Sequence, residues 1–167
     1  MVSFKQFILE STVYRGVTGK YDASHRQDII WVSTSKNHAQ MYATETGEVV
    51  QFRLNKSRLN ELDLGFRASE TEVKFDEIRS RLVKSIMILF EKGKLNEKNA
   101  RDVLDSLNSL KMTGHKQVWE WMHVPKILDI IKKAGFNVIV QREGLSRHKG
   151  DTITYGVLDT KILQKTS

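Results

Sequence analysis

Three short stretches of this chain hold side chains able to act on a substrate together. Tyr14-Arg15-Gly16 puts an arginine at the end of a short strand candidate, beside a glycine. Trp31-Val32-Ser33-Thr34-Ser35 puts three hydroxyls at the end of the next strand. Gln141-Arg142-Glu143 ends a third with an amide and a carboxylate two residues apart, a spacing that points both to one face of a strand. Taken singly, each has an ordinary explanation. A strand arginine is usually a surface residue or salt-bridge partner, serines ahead of a short helix cap it, and Glu143 before Gly144 fits a solvated turn. Their order and separation make them informative as a set. Other chemistries have less to stand on. The chain has no cysteine, so it has no disulfide, thiolate metal ligand or cysteine nucleophile. His25, His38, His115, His123 and His148 show no metal-ligand spacing with carboxylates. No glycine-rich phosphate loop or nucleophile elbow occurs, and no metal is expected.

To bring the three stretches together the chain needs strands at both ends and helices between them. Thr12 to Arg15 reads as a strand, Gly16 to Asp28 as a loop, and Ile29 to Ser33 as the next strand. Asn37 to Thr44 reads as a short helix with Ala39, Tyr42 and Ala43 on its packing side, and Glu48 to Leu54 alternates as a strand does. Ser69 and Glu72 have the spacing of a capping box. Phe75, Ile78, Leu82, Ile86, Leu89 and Phe90 then recur at helical spacing until Gly93. Asn96 caps a second helix whose apolar face is Ala100, Val103, Leu104, Leu107 and Leu110. Pro125 suits the first turn of a third, with Ile127, Leu128, Ile130 and Ile131 buried and Gly135 at its end. Phe136 to Gln141 and Ile153 to Leu158 read as strands, with a loop from Gly144 to Gly150. The pattern predicts an α+β fold, and 167 residues normally make one domain.

In this order, the three stretches resemble the arginine–serine–glutamate branch of the ADP-ribosyltransferase superfamily. That branch carries an arginine on its first strand, an aromatic-x-Ser-Thr-Ser segment on a later one, and Glu-x-Glu or Gln-x-Glu near the C-terminus. Trp31 to Ala43, Ala134 to Val140 and Tyr155 to Asp159 are also similar to small transferase domains of phage proteins. The resemblance spans most of residues 12–163 apart from the helical middle. It implies split mixed or antiparallel sheets around an NAD cleft, in one domain over residues 11–167 with a helical insertion at about 69–111. It also implies a mono-ADP-ribosyltransferase that consumes NAD as substrate and modifies a host protein or nucleic acid.

By this resemblance nicotinamide leaves C1′ of its ribose as an oxocarbenium-like sugar develops, and a nearby carboxylate lowers the barrier. Glu143 is that carboxylate and also bonds the ribose 2′-hydroxyl. Gln141 and Ser33 complete the catalytic set, with Ser33 orienting Glu143. Arg15 holds an NAD phosphate through its planar donors. Gly16, Thr34 and Ser35 line the NAD side, and Tyr42 or Tyr155 stacks on nicotinamide. The sequence departs from a sister branch, the histidine–tyrosine–glutamate one, in which the acid immediately precedes the aromatic of the last long strand. Thr154 stands there. The first strand also lacks that branch's histidine, which favours Glu143 as the acid. The alternatives are an inactive binding module of the same fold and a basic DNA-binding phage internal head protein.

The net charge of +7 favours acidic partners such as nucleic acid. Its carriers are scattered, as in Lys56-Ser57-Arg58, Lys132-Lys133 and Arg147-His148-Lys149. A solvated basic surface therefore competes with a DNA contact. No stretch approaches the ~20 apolar residues of a membrane span, so no membrane partner is expected. Residues 1–10 stand apart. Phe4, Phe7 and Ile8 share a helical face, and the apolar stretch is too short for a secretory signal. Phe4 to Glu10 resembles the peptides that send internal proteins into the heads of large tailed phages, which are cut after the glutamate, here Glu10. That resemblance implies a targeting segment on a protein carried in the phage head and active in the host bacterial cytoplasm. Oligomeric state is left open, since no exposed coiled-coil pattern is present.

Overall fold

The most extensive ladder of the fold joins two eight-residue strands near the N-terminus, the second of which alternates buried and exposed residues. Strands β1 (Glu10–Val17) and β3 (Glu48–Asn55) pair antiparallel along their whole length, from Glu10 opposite Asn55 to Val17 opposite Glu48. The computed structural model describes residues 10–19, 27–45, 47–66, 72–143 and 152–166. Strand β2 (Ile30–Ser33) leads into the short helix α1 (Lys36–Gln40). Strand β4 (Glu61–Asp63) follows, then β5 (Glu72–Lys74) and the long helices α2 (Phe75–Glu91) and α3 (Glu97–Ser109). Strand β6 (His115–Gln117), helix α4 (Val118–Met122) and helix α5 (Pro125–Lys133) precede β7 (Val138–Glu143), β8 (Thr152–Val157) and β9 (Leu163–Lys165).

The fold is mixed α+β. Seven strands form one sheet in the order β4-β7-β8-β2-β1-β3-β9, antiparallel except for the parallel pair β4–β7, while β5 and β6 form a separate ribbon. The sheet is nearly divided in two. Strands β2 and β8 share four Cα partners and β7 and β8 share six, yet among the described residues β1 and β2 share one, Tyr14 opposite Ser33. A hydrophobic cluster of Val13, Phe52 and Leu54 from one half with Val32, Val140, Tyr155 and Val157 from the other packs the halves together. On the opposite face Ile29 and Ile139 join the larger core formed by α2, α3, α4 and α5.

Helix ends follow local chemistry. Asn96 caps α3 by accepting from Asn99 N–H at 2.8 Å, Pro125 opens α5, and Gly93 and Gly135 end α2 and α5 with φ of 70° and 94°. Positive φ costs glycine no steric clash. The expected capping box is corrected. Glu72 lies in β5, paired with Gln117, and α2 begins at Phe75 without a side-chain cap. Burial of Val73 and ladder pairing hold this stretch extended, while Asp76 and Glu77 in the first turn complement the helix dipole. Ser69 lies outside the described residues, as do the loop 144–150 and residues 1–9 with the helical face of Phe4, Phe7 and Ile8, whereas Glu10 begins β1. Phe90, expected in the buried stripe of α2, is 38% exposed. Beside β4, Asn60 Nδ2 donates to Gly135 O and Asn137 Nδ2 to Arg58 O, both at 2.6 Å. This clamp aligns β4 with β7.

Candidate functional site

The direction of each side chain at the break in the sheet follows from register. Residues directly opposite on neighbouring strands share a face, and their neighbours in sequence take the other. Gln141 faces Thr154, Thr154 faces Ser33, and Ser33 faces Tyr14, so one polar row crosses four strands. Tyr155, one residue past Thr154, falls on the other face and is buried in the cluster that joins the sheet halves. Burial, followed by the nearby Glu61 carboxylate, pushes its phenol pKa above the ordinary value, and Arg142 opposes this.

The row is the floor of a cleft of about 430 Å³. Arg15, Gly16, Gln27, Trp31, His38 and Tyr42 line it along with the row, and Gln117, Trp119 and His123 form a further wall. Arg15 Nη2 donates to Gln27 Oε1 at 2.5 Å. Gly16 is required by close approach, because a Cβ there would lie 2.0 Å from Ala39 O and 2.7 Å from Ala43 N. Its absence lets the α1 segment lie directly on β1. Gly156 plays the same part for Trp31, whose ring would meet a Cβ at 2.7 Å.

Within the Ser-Thr-Ser stretch the three hydroxyls have different tasks. Ser33 Oγ accepts from Ser35 N–H at 3.1 Å and Ser35 Oγ accepts from His38 N–H at 3.2 Å, the latter capping α1. Thr34 Oγ1 donates to Ile153 O at 3.2 Å and accepts from Ile153 N–H at 3.3 Å. Ser33 alone of the three lines the cleft. Tyr42, which the resemblance put at the ligand, was also expected on the packing side of a short helix over Asn37 to Thr44. Instead it lies beyond the end of α1, 61% exposed at the cleft, with its ring edge-on to His38 at 5.3 Å. Gln141 and Thr154 are each 6% exposed, and Gln141 Nε2 and Thr154 Oγ1 have no hydrogen-bond partner among the described residues.

Of the residues singled out from sequence, Arg15, Gly16, Ser33, Tyr42 and Gln141 come together in the cleft. Thr34, Ser35 and Tyr155 stand outside its lining, and Glu143 is the last residue of β7, opposite Thr152. The wall from Gln117 to His123 was not anticipated. Trp31 Nε1 donates to His123 Nε2 at 3.0 Å, and the Trp119 ring meets His123 edge-on at 6.0 Å. Burial lowers the His123 pKa below 6.5, partly offset by the negative charge of Asp28. A neutral imidazole is also what the bond requires, since Nε2 must carry a lone pair to accept from an indole. The sequence signal was the pair of tryptophans two apart, Trp119 and Trp121, which cannot both be buried by one short helix.

Among the described residues no group of three or more His, Asp or Glu could hold a metal ion, and no helix is long and apolar enough to cross a membrane. In comparisons with known proteins, no family model, no curated protein and no solved structure matches this chain.

Proposed function

We propose that the chain is a mono-ADP-ribosyltransferase whose cleft binds NAD and whose split sheet is of the ADP-ribosyltransferase type. The observation that carries this reading is that Arg15, Ser33 and Gln141, distant in sequence, line one cleft. The aromatic Tyr42 lies at its edge, Trp31 in its wall, and the sheet parts beneath it. In this reading Arg15 binds a phosphate of NAD and Tyr42 stacks on nicotinamide. Glu143, two residues along β7 from Gln141, stabilises the developing sugar cation. The bond from C1′ to the pyridinium nitrogen breaks and nicotinamide leaves neutral with the electron pair. An oxygen or nitrogen of a host protein or nucleic acid then bonds to C1′ and gives up its proton to Glu143.

A second reading is favoured by one observation. Thr154 occupies the middle of the floor, between Ser33 and Gln141. If the acid belongs at that position, the domain binds NAD without turning it over.

Incubation with labelled NAD and a bacterial lysate tests both readings. Label on a discrete macromolecule with the native chain, and none with Glu143→Gln, is expected from the transferase. No consumption of NAD by either chain would overturn the transferase and leave the binding module.

A further inference from the structure

The wall from Gln117 to His123 has no part in the NAD contacts proposed above, and it holds one exposed ring still. Trp119 is 41% exposed at the cleft. Its indole N–H donates to Gln117 Oε1, and its ring meets the His123 imidazole edge-on at 6.0 Å. His123 is bonded in turn to Trp31 of the sheet. The backbone beneath the ring is fixed as well, because Gln117 and Glu120 close a reciprocal cap on α4. Pinning a solvent-facing ring costs side-chain entropy, and a flat ligand that lands on it finds its surface already in place.

The charge around the ring narrows the ligand. Among the described residues that line the cleft none is Asp or Glu, and Arg15 supplies a fixed positive charge. Lys36 opens α1 and Lys116 precedes Gln117, both exposed. Of the acids nearby, Glu120 is turned to the Gln117 amide N–H and Asp28 acts on His123. The chain as a whole carries +7. Gln27 and Gln117 add side-chain amides, which both donate and accept, as the edges of bases do. A flat face, a positive field and amides together suit a base with its phosphate. The strand must be single, since the faces of bases in a duplex are covered by their neighbours. An acidic peptide would meet the charge but leave the indole face bare.

We propose that the Trp119 wall receives a single-stranded nucleic acid, one base of which stacks on the Trp119 indole and is the acceptor of ADP-ribose. The transfer rests on the reading of the cleft as an NAD site, while the stacking stands without it. A nitrogen of the base bonds to C1′ as the bond from C1′ to the pyridinium nitrogen breaks. Nicotinamide leaves with the electron pair, and the proton lost by the base passes to Glu143.

The test is fluorescence anisotropy of a labelled oligodeoxythymidine titrated with the full chain, beside its duplex with oligodeoxyadenosine and a labelled oligoglutamate peptide. The single strand should bind at least about tenfold more tightly than either of the others. Trp119→Ala should weaken it about tenfold, within the range for one stacked base. Trp119→Tyr keeps a flat face and should restore most of that affinity, which a merely structural tryptophan would not predict. Equal affinity for the duplex, or native affinity in Trp119→Ala, would overturn the assignment in favour of a general basic surface. Tighter binding of oligoglutamate would overturn it in favour of an acidic protein. Failure here is separable from failure of the transferase. With labelled NAD and heat-denatured DNA, the native chain should leave nuclease-sensitive label on the strand. Trp119-dependent binding of the strand without consumption of NAD would keep the surface and remove the enzyme. Label on protein alone, with oligonucleotide affinity indifferent to Trp119, would remove the acceptor site and keep the enzyme.

Discussion

The indole of Trp31 and the imidazole of His123, ninety-two residues apart, are joined by a 3.0 Å hydrogen bond that fastens the helical wall of the cleft to its sheet. The bond exists only while His123 Nε2 is unprotonated. The folded-state pKa of His123 is depressed below 6.5, so the unfolded chain binds more protons between 6.5 and that lower value. Stability from this group is fully present above pH 6.5 and is lost as pH falls through the folded pKa. Melting temperature followed from pH 8 down to 5 should therefore drop more steeply for the native chain than for His123→Phe. Parallel curves would exclude His123 as the source.

Gly16→Ala should destabilise the fold by about 1–3 kcal/mol, the usual cost of overpacking. The clash is with backbone, Ala39 O at 2.0 Å, which cannot rotate aside. Chemical denaturation checks this. An unchanged midpoint would mean that the α1 segment moves off β1 freely.

Gly156→Ala should move the Trp31 ring, which lies 2.7 Å from the added carbon, and so disturb its bond to His123. The expected readout is a changed tryptophan emission spectrum together with loss of the pH-dependent step in stability. Retention of that step would show that the indole stays in place.

Tyr42→Ala should leave stability within about 0.5 kcal/mol, as surface substitutions do, because the side chain is 61% exposed. Binding of NAD should weaken by about tenfold, within the range for loss of one aromatic stacking surface. Equilibrium binding of NAD, measured alongside a melting curve, separates the two effects.

What could be read from the sequence depended on whether local chemistry or long-range register decided each feature. The stripes of α2, α3 and α5 and their ends at Gly93 and Gly135 were legible, because helical period and glycine conformation act within a few residues. Strands β4, β5, β6 and β9, three residues each, are too short to show a period and exist because partners hold them. Gln141 and Ser33 were singled out and do line the cleft, but Tyr155 and Thr154 could not be told apart without knowing which face β8 turns to it. The same holds for Trp119 and Trp121. Only the packing of α4 decides that Trp121 is buried, its indole N–H on Val73 O at 2.8 Å, while Trp119 is left at the cleft.

The single Cα pair between Tyr14 and Ser33 has a mechanical consequence. A sheet knitted by long ladders is stiff, and one joined at a single rung yields there first. That rung lies in the floor of the cleft, so a molecule bound there would sit where the two halves of the sheet share least backbone pairing. A ligand held by Arg15 on β1 and by Gln141 on β7 would tie one half of the sheet to the other. It would act as a rivet, and occupancy of the cleft would be felt as stiffness across the whole sheet.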